Sequence, residues 1–105
     1  MDTNKTILVA DDESHILHVV SLKLRNAGFR VLTARDGQEA LELAQAERPD
    51  LLITDYHMPQ LSGLELCQRL KQDVATNHIP AIMLTARGYL LEPHDTQESG
   101  ILRML

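Results

Sequence analysis

The sequence holds a single cysteine, Cys67, so no disulfide can close within the chain. Cys67 sits among leucines at helical spacing, and a small buried residue explains it more simply than a redox or catalytic thiol. No run approaches the ~18 apolar residues that cross a bilayer, and the opening MDTNKT has no apolar signal region. The expectation is a cytoplasmic chain with no membrane role. Positive charge is also short: ten basic residues stand against fifteen acidic ones, a formal net charge of -5. That balance excludes broad attraction to phosphate backbones, and no direct nucleic-acid binding is expected. Repeats, low-complexity tracts and flexible linkers are missing too. With 105 residues, 44% of them apolar, the chain has material for one core and reads as one domain over residues 1–105.

What is present is an alternation of short aliphatic runs with longer amphipathic ones, the pattern of a parallel sheet covered by helices. TILVA at 6–10 reads as the first strand. Ile16, Leu17, Val20, Leu24 and Ala27 then recur at three- and four-residue steps, an apolar helical stripe closed by Gly28. FRVLTA at 29–34 is a second strand, after which Asp36 and Glu39 have the spacing of a capping box for a helix ending near Pro49. LLIT at 51–54 is continuously apolar, as a central strand buried on both faces should be. Ser62 and Glu65 predict a second capping box, opening a helix that turns Leu66, Cys67 and Leu70 inward. IPAIMLT at 79–85 is a fourth strand with Pro80 at its very start. Gly88 and Pro93 disfavour a continuous helix beyond it, so a short helix beginning near Pro93 is expected. ILRML at 101–105 reads as a fifth strand.

In a doubly wound sheet, ligands bind outside the carboxyl ends of the strands. The residues there are Asp11 and Asp12 after the first strand, Asp55 after the third and Thr85 closing the fourth. Parallel neighbours lie ~4.8 Å apart, so adjacent first and third strands would bring their acids into one pocket. Carboxylates that close repel unless a cation lies between them, and hard oxygen donors without nitrogen or sulfur favour Mg²⁺. An open, all-acid site suggests phosphate chemistry, in which a carboxylate can itself be the nucleophile. Each acid also has a plainer explanation as a helix cap, with Asp12 the obvious cap for the first helix. Asp55 fits that explanation poorly, because a Met-Pro loop follows it.

The ordered set ILVADDE at 7–13, DLLITDYHMPQLSGLEL at 50–66 and IPAIMLTA at 79–86 resembles the receiver domain of two-component response regulators over essentially the whole chain. The resemblance implies an α/β, flavodoxin-like doubly wound parallel sheet of five strands in the order 2-1-3-4-5. It implies that Asp55 is the phosphoacceptor for a histidine kinase or phosphotransfer protein. Mg²⁺ would be bound by Asp12 and Asp55 directly, by Asp11 through water and by the backbone carbonyl of His57. Thr85 would donate its hydroxyl to the phosphoryl group, aided by the amide of Ala86, and its movement would switch a partner-binding surface. His57 and Arg87 stand where receivers tune loss of the phosphoryl group, whereas His15, His18, His78 and His94 show no metal spacing and read as surface residues.

The sequence departs from the family in two places. A lysine expected after the fifth strand would fall about two residues beyond Leu105, so by family spacing the sequence given is expected to stop in or just after that strand, short of the final helix. The aromatic that commonly joins the switch falls near Met104. The output partner is not specified, and a homodimer is compatible with the pattern. The alternative function is a receiver-like interaction module that does not signal by phosphorylation. A phosphatase of the haloacid dehalogenase type needs an Asp-x-Asp pair, which DDE does not supply. No enzyme turnover is expected beyond self-phosphorylation and self-dephosphorylation at Asp55.

Overall fold

The computed structural model describes residues 5–84 and the backbone of 101–104. In it the aliphatic runs form β1 (Thr6–Ala10), β2 (Arg30–Ala34), β3 (Leu51–Asp55), β4 (Ala81–Leu84) and β5 (Ile101–Met104), with α1 (Ser14–Asn26), α2 (Gly37–Glu47) and α3 (Gly63–Lys71) between them. All pairings are parallel, and the five-stranded sheet has the order β2-β1-β3-β4-β5. This is the expected doubly wound arrangement. The expected helix near Pro93 and the ends of strands four and five at Thr85 and Leu105 lie outside the described residues.

Alternation along each strand explains why the runs are continuously apolar. Leu8, Ala10 and Leu52 point to one face, where they pack with Ala40, Leu41 and Leu66. Ile7, Val9 and Ile53 point to the other and meet Leu17 and Val31. Leu8, Leu52 and Leu66 are wholly buried, and burying each side chain of this kind stabilises the fold by roughly 1.5–3 kcal/mol.

Local signals set the helix ends. After α1, Gly28 adopts φ 99°, its N–H donates to Arg25 O, and the Phe29 N–H donates to Leu24 O. This is a Schellman cap, and the positive φ is why glycine stands there. Ala27, expected to end the buried stripe, is exposed instead, because it lies past the last helical turn. Ser62 and Glu65 close a full capping box. At α2 only half of the expected box forms: Asp36 accepts the Glu39 N–H at 2.7 Å, but Glu39 Oε1 takes the Arg35 N–H at 2.8 Å. Asp36 has φ -151° where Ser62 has -67°, and that rotation about N–Cα turns the Asp36 N–H away from the Glu39 carboxylate. Strand boundaries differ slightly from expectation. β2 and β4 start later, at Arg30 and Ala81, and Pro80 contributes only its carbonyl, which accepts the Leu52 N–H.

The loop between β3 and α3 is held on three sides. Tyr56 O accepts the Gly63 N–H at 2.7 Å, and Pro59 O accepts the N–H groups of both Gly37 and Leu61. The Pro59–Leu61 bond closes a γ-turn around Gln60, whose φ is 72°, a conformation that strains a residue with a Cβ. A Cβ on Gly63 would overlap the carbonyl oxygen of Asp55 and come within 3.1 Å of Met83 Sδ; one on Gly37 would overlap Leu61. Two substitutions should therefore move stability against ordinary propensity. Gly63→Ala, favoured in a helix by up to ~1 kcal/mol, should instead lower Tm by roughly 5 °C or more through overpacking. Gln60→Gly should leave Tm unchanged or raise it. Thermal unfolding followed by circular dichroism checks both, and the reverse order would contradict the loop geometry.

Candidate metal and phosphoacceptor site

β1 and β3 pair in register up to Ala10 with Thr54, so Asp11 and Asp55 come one step later at the same sheet edge. Asp11 stays tied to β2 through its N–H, which donates to Ala34 O at 3.1 Å. Its Oδ1 accepts the Glu13 N–H at 2.9 Å. This Asx turn lifts the chain out of the strand and leaves Asp12 exposed. Glu13, not Asp12, occupies the N-cap of α1, and it makes no side-chain cap bond. The plainer explanation of Asp12 as a cap therefore fails. Asp55 is the last residue of β3 and is half-buried.

One carboxylate oxygen from each of Asp11, Asp12 and Asp55 lies within 4.8 Å of the others. Burial is the main force pushing the Asp11 carboxyl above the usual aspartate range; the Glu13 N–H pulls it back, and the charges of Asp12 and Glu13 push it further up. Burial also leads in raising Asp55, followed by the charge of Asp11, while the Tyr56 N–H opposes the rise; Asp12 adds to it and His57 opposes it. Both shifts report negative charge held where it is poorly solvated. A hard dication relieves that cost, and three carboxylate oxygens with no nitrogen or sulfur among them fit Mg²⁺. Asp55, at the carboxyl end of its strand, remains partly exposed to solvent.

Among the described residues no histidine or cysteine joins this cluster. His57 is exposed and its ring lies 4.7 Å from that of Tyr56, tilted by 57°. His15, His18 and His78 are exposed as expected. Cys67 is buried and its thiol is pushed up to about 12 by desolvation, which suits an inert core residue. Thr85, Ala86, Arg87 and His94 lie outside the described residues. Sequence reasoning missed Gly37 and Gly63, which let the loop after Asp55 pack against α2 and α3. Their signal was a glycine at the first helical position directly after each capping residue, where alanine would serve a free helix better.

Residues 7–105 match the profile of the response regulator receiver domain. The chain is 44% identical over 84 residues to the alkaline phosphatase synthesis transcriptional regulatory protein PhoP of Bacillus subtilis, an alignment covering 80% of this chain but 34% of that protein. It thus spans about a third of that regulator's length. Among solved structures, the N-terminal domain of a response regulator receiver protein from Methanoculleus marisnigri matches with TM-score 0.87 and 39% identity, over 98% of this chain and 84% of that one. The chemotaxis response regulator CheY4 of Vibrio cholerae matches with TM-score 0.85 and 35% identity, over 98% and 86%. With sequence and backbone agreeing along nearly its whole length, the chain belongs to the receiver domains of two-component response regulators.

Proposed function

We propose that this receiver domain takes a phosphoryl group onto Asp55 from a histidine kinase or phosphotransfer protein, in a Mg²⁺-dependent reaction, and so switches a partner-binding surface. The observation that carries this reading is the convergence of Asp11, Asp12 and Asp55 to within 4.8 Å at the ends of β1 and β3. An Asp55 carboxylate oxygen attacks phosphorus, the bond from phosphorus to the donor imidazole breaks, and the imidazole leaves with its electron pair. Mg²⁺, held by Asp12, Asp55 and the His57 carbonyl and through water by Asp11, would neutralise charge on the transferring phosphoryl oxygens. Asp11, the most buried of the three acids, anchors the negative pole of the pocket.

Family resemblance supports Thr85 and the Ala86 amide as the groups that sense the phosphoryl oxygens, and His57 and Arg87 as modulators of its hydrolysis. Chemistry is then limited to the domain's own phosphorylation and dephosphorylation, in the cytoplasm. The output partner, a second copy of this chain included, reads the resulting surface. The assembled acids disfavour an interaction module without phosphorylation, which has no use for three mutually repelling carboxylates.

With Mg²⁺ and acetyl phosphate, the protein should gain the mass of one phosphoryl group, stable to acid and labile to hydroxylamine. EDTA or Asp55→Asn should abolish the gain. No gain with Mg²⁺ present would sink the proposal.

The raised carboxyls of Asp11 and Asp55 carry a definite sign. An acid raised by folding binds its proton more tightly in the native state, so its unfavourable contribution is absent below the unfolded value and grows as pH rises through the folded one. Without metal, Asp55→Asn should therefore raise Tm by a few degrees at neutral pH, and the difference should vanish below the carboxylate range. Adding Mg²⁺ should stabilise the unaltered protein and leave Asp55→Asn nearly unmoved. Differential scanning fluorimetry across pH reads both effects; a variant less stable than the parent in EDTA would contradict them.

A further inference from the structure

We propose that the cleft between α1 and the edge strand β2 binds a small phosphate-type oxyanion, at a site separate from the acidic pocket. Ser14, His18, Ser21 and Arg25 recur at i, i+4, i+7 and i+11, which places them on one stripe of α1. Thr33 and Arg35, two residues apart, project to the same side from β2 and the residue after it. Together they line a cavity of ≈ 230 Å³ whose remaining lining residue is the buried Leu17. This volume lies below the ~300–1,000 Å³ of sites for drug-sized ligands, so the cleft suits a small one.

Its chemistry runs against that of the whole chain. Acids outnumber bases fifteen to ten in the sequence, yet the cleft is lined by two guanidiniums, an imidazole and three hydroxyls with no carboxylate. Neither guanidinium forms an ion pair among the described residues. The ion pair formed among the described residues is Arg30 with Glu47, and Glu39 is held by the Arg35 backbone N–H, not by its side chain. Helical side chains lean toward the N-terminus, so Arg25 reaches back over Ser21 and His18. Two planar forks with hydroxyl donors around them match the many lone pairs of a tetrahedral oxyanion.

A second observation points the same way. Ser21 is only 3% exposed, and its hydroxyl has no hydrogen-bond partner among the described residues. Buried hydroxyls are normally paired, and one left unpaired carries an uncompensated desolvation cost. The oxygen itself is closed to solvent in this conformer, so a turn about χ1 toward the cleft is what brings it to a ligand oxygen, which then supplies the missing acceptor.

The test is a titration of isotope-labelled protein with inorganic phosphate, in EDTA and at constant ionic strength, followed by amide NMR shifts. Saturable shifts should centre on Ser14, Ser21 and Thr33. Arg25→Gln and Arg35→Gln, both at exposed positions, should each weaken binding about tenfold, the loss expected for one charge-assisted hydrogen bond. Ser21→Ala should weaken phosphate binding while leaving the ligand-free Tm equal or higher, a split that a purely structural serine would not produce. Shifts that never saturate, that centre on Asp11 and Asp55, or that survive both arginine substitutions would overturn the proposal. Acetate binding as tightly as phosphate would overturn the assignment to phosphate.

Discussion

Parallel pairing of β1 with β3 is the constraint on which the rest of the structure depends. Chain order places β2 between them in sequence, yet β2 pairs on the far side of β1, so the sheet reverses its winding at the β1–β3 boundary. At such a point the following segments leave toward opposite faces and open a crevice above the strand ends. Asp11 and Asp12 border the crevice on one side and Asp55 on the other. The burial that stabilises Leu8, Val9, Leu52 and Ile53 also extends to Asp11 and partly to Asp55. The same desolvation raises both carboxyls and makes a dication the natural complement of the crevice.

Rigidity at the mouth of the site comes from backbone contacts. The loop after Asp55 is bonded to the first turn of α2 through Gly37 and to the first turn of α3 through Gly63, and neither glycine leaves room for a Cβ. Gln60 is held in a strained turn between them. Thr54, fully buried, donates its hydroxyl to the Asp55 carbonyl at 3.0 Å. In the proposed phosphoacceptor role, the Asp55 carboxylate would need a fixed position more than a large number of contacts, and this frame supplies one.

Much of this was legible in the sequence because it is local. Strand alternation, the Gly28 cap and the Ser62–Glu65 box are written within a few residues, and the acids follow the strands that carry them. What escaped is what depends on the exact backbone angle at one residue or on distant chain segments. The partner of Glu39 follows from one φ angle at Asp36. The necessity of Gly37 and Gly63 appears only when Leu61 and the Asp55 carbonyl are in place. Ser21 reads as an unremarkable helix position until the fold buries it beside Arg25 and Arg35. The apolar stripe of α1 was right for Leu17 and wrong for Ala27, since periodicity does not reveal where a helix stops.

The central claim is that the convergence of three acids serves one nucleophile, Asp55. Borohydride reduction of the phosphorylated protein, followed by tandem mass spectrometry, tests it most directly, because an aspartyl phosphate is converted to homoserine where it formed. The account predicts homoserine at position 55 alone, and only when Mg²⁺ was present. Homoserine at position 11 or 12, or its formation at 55 in EDTA, would contradict it.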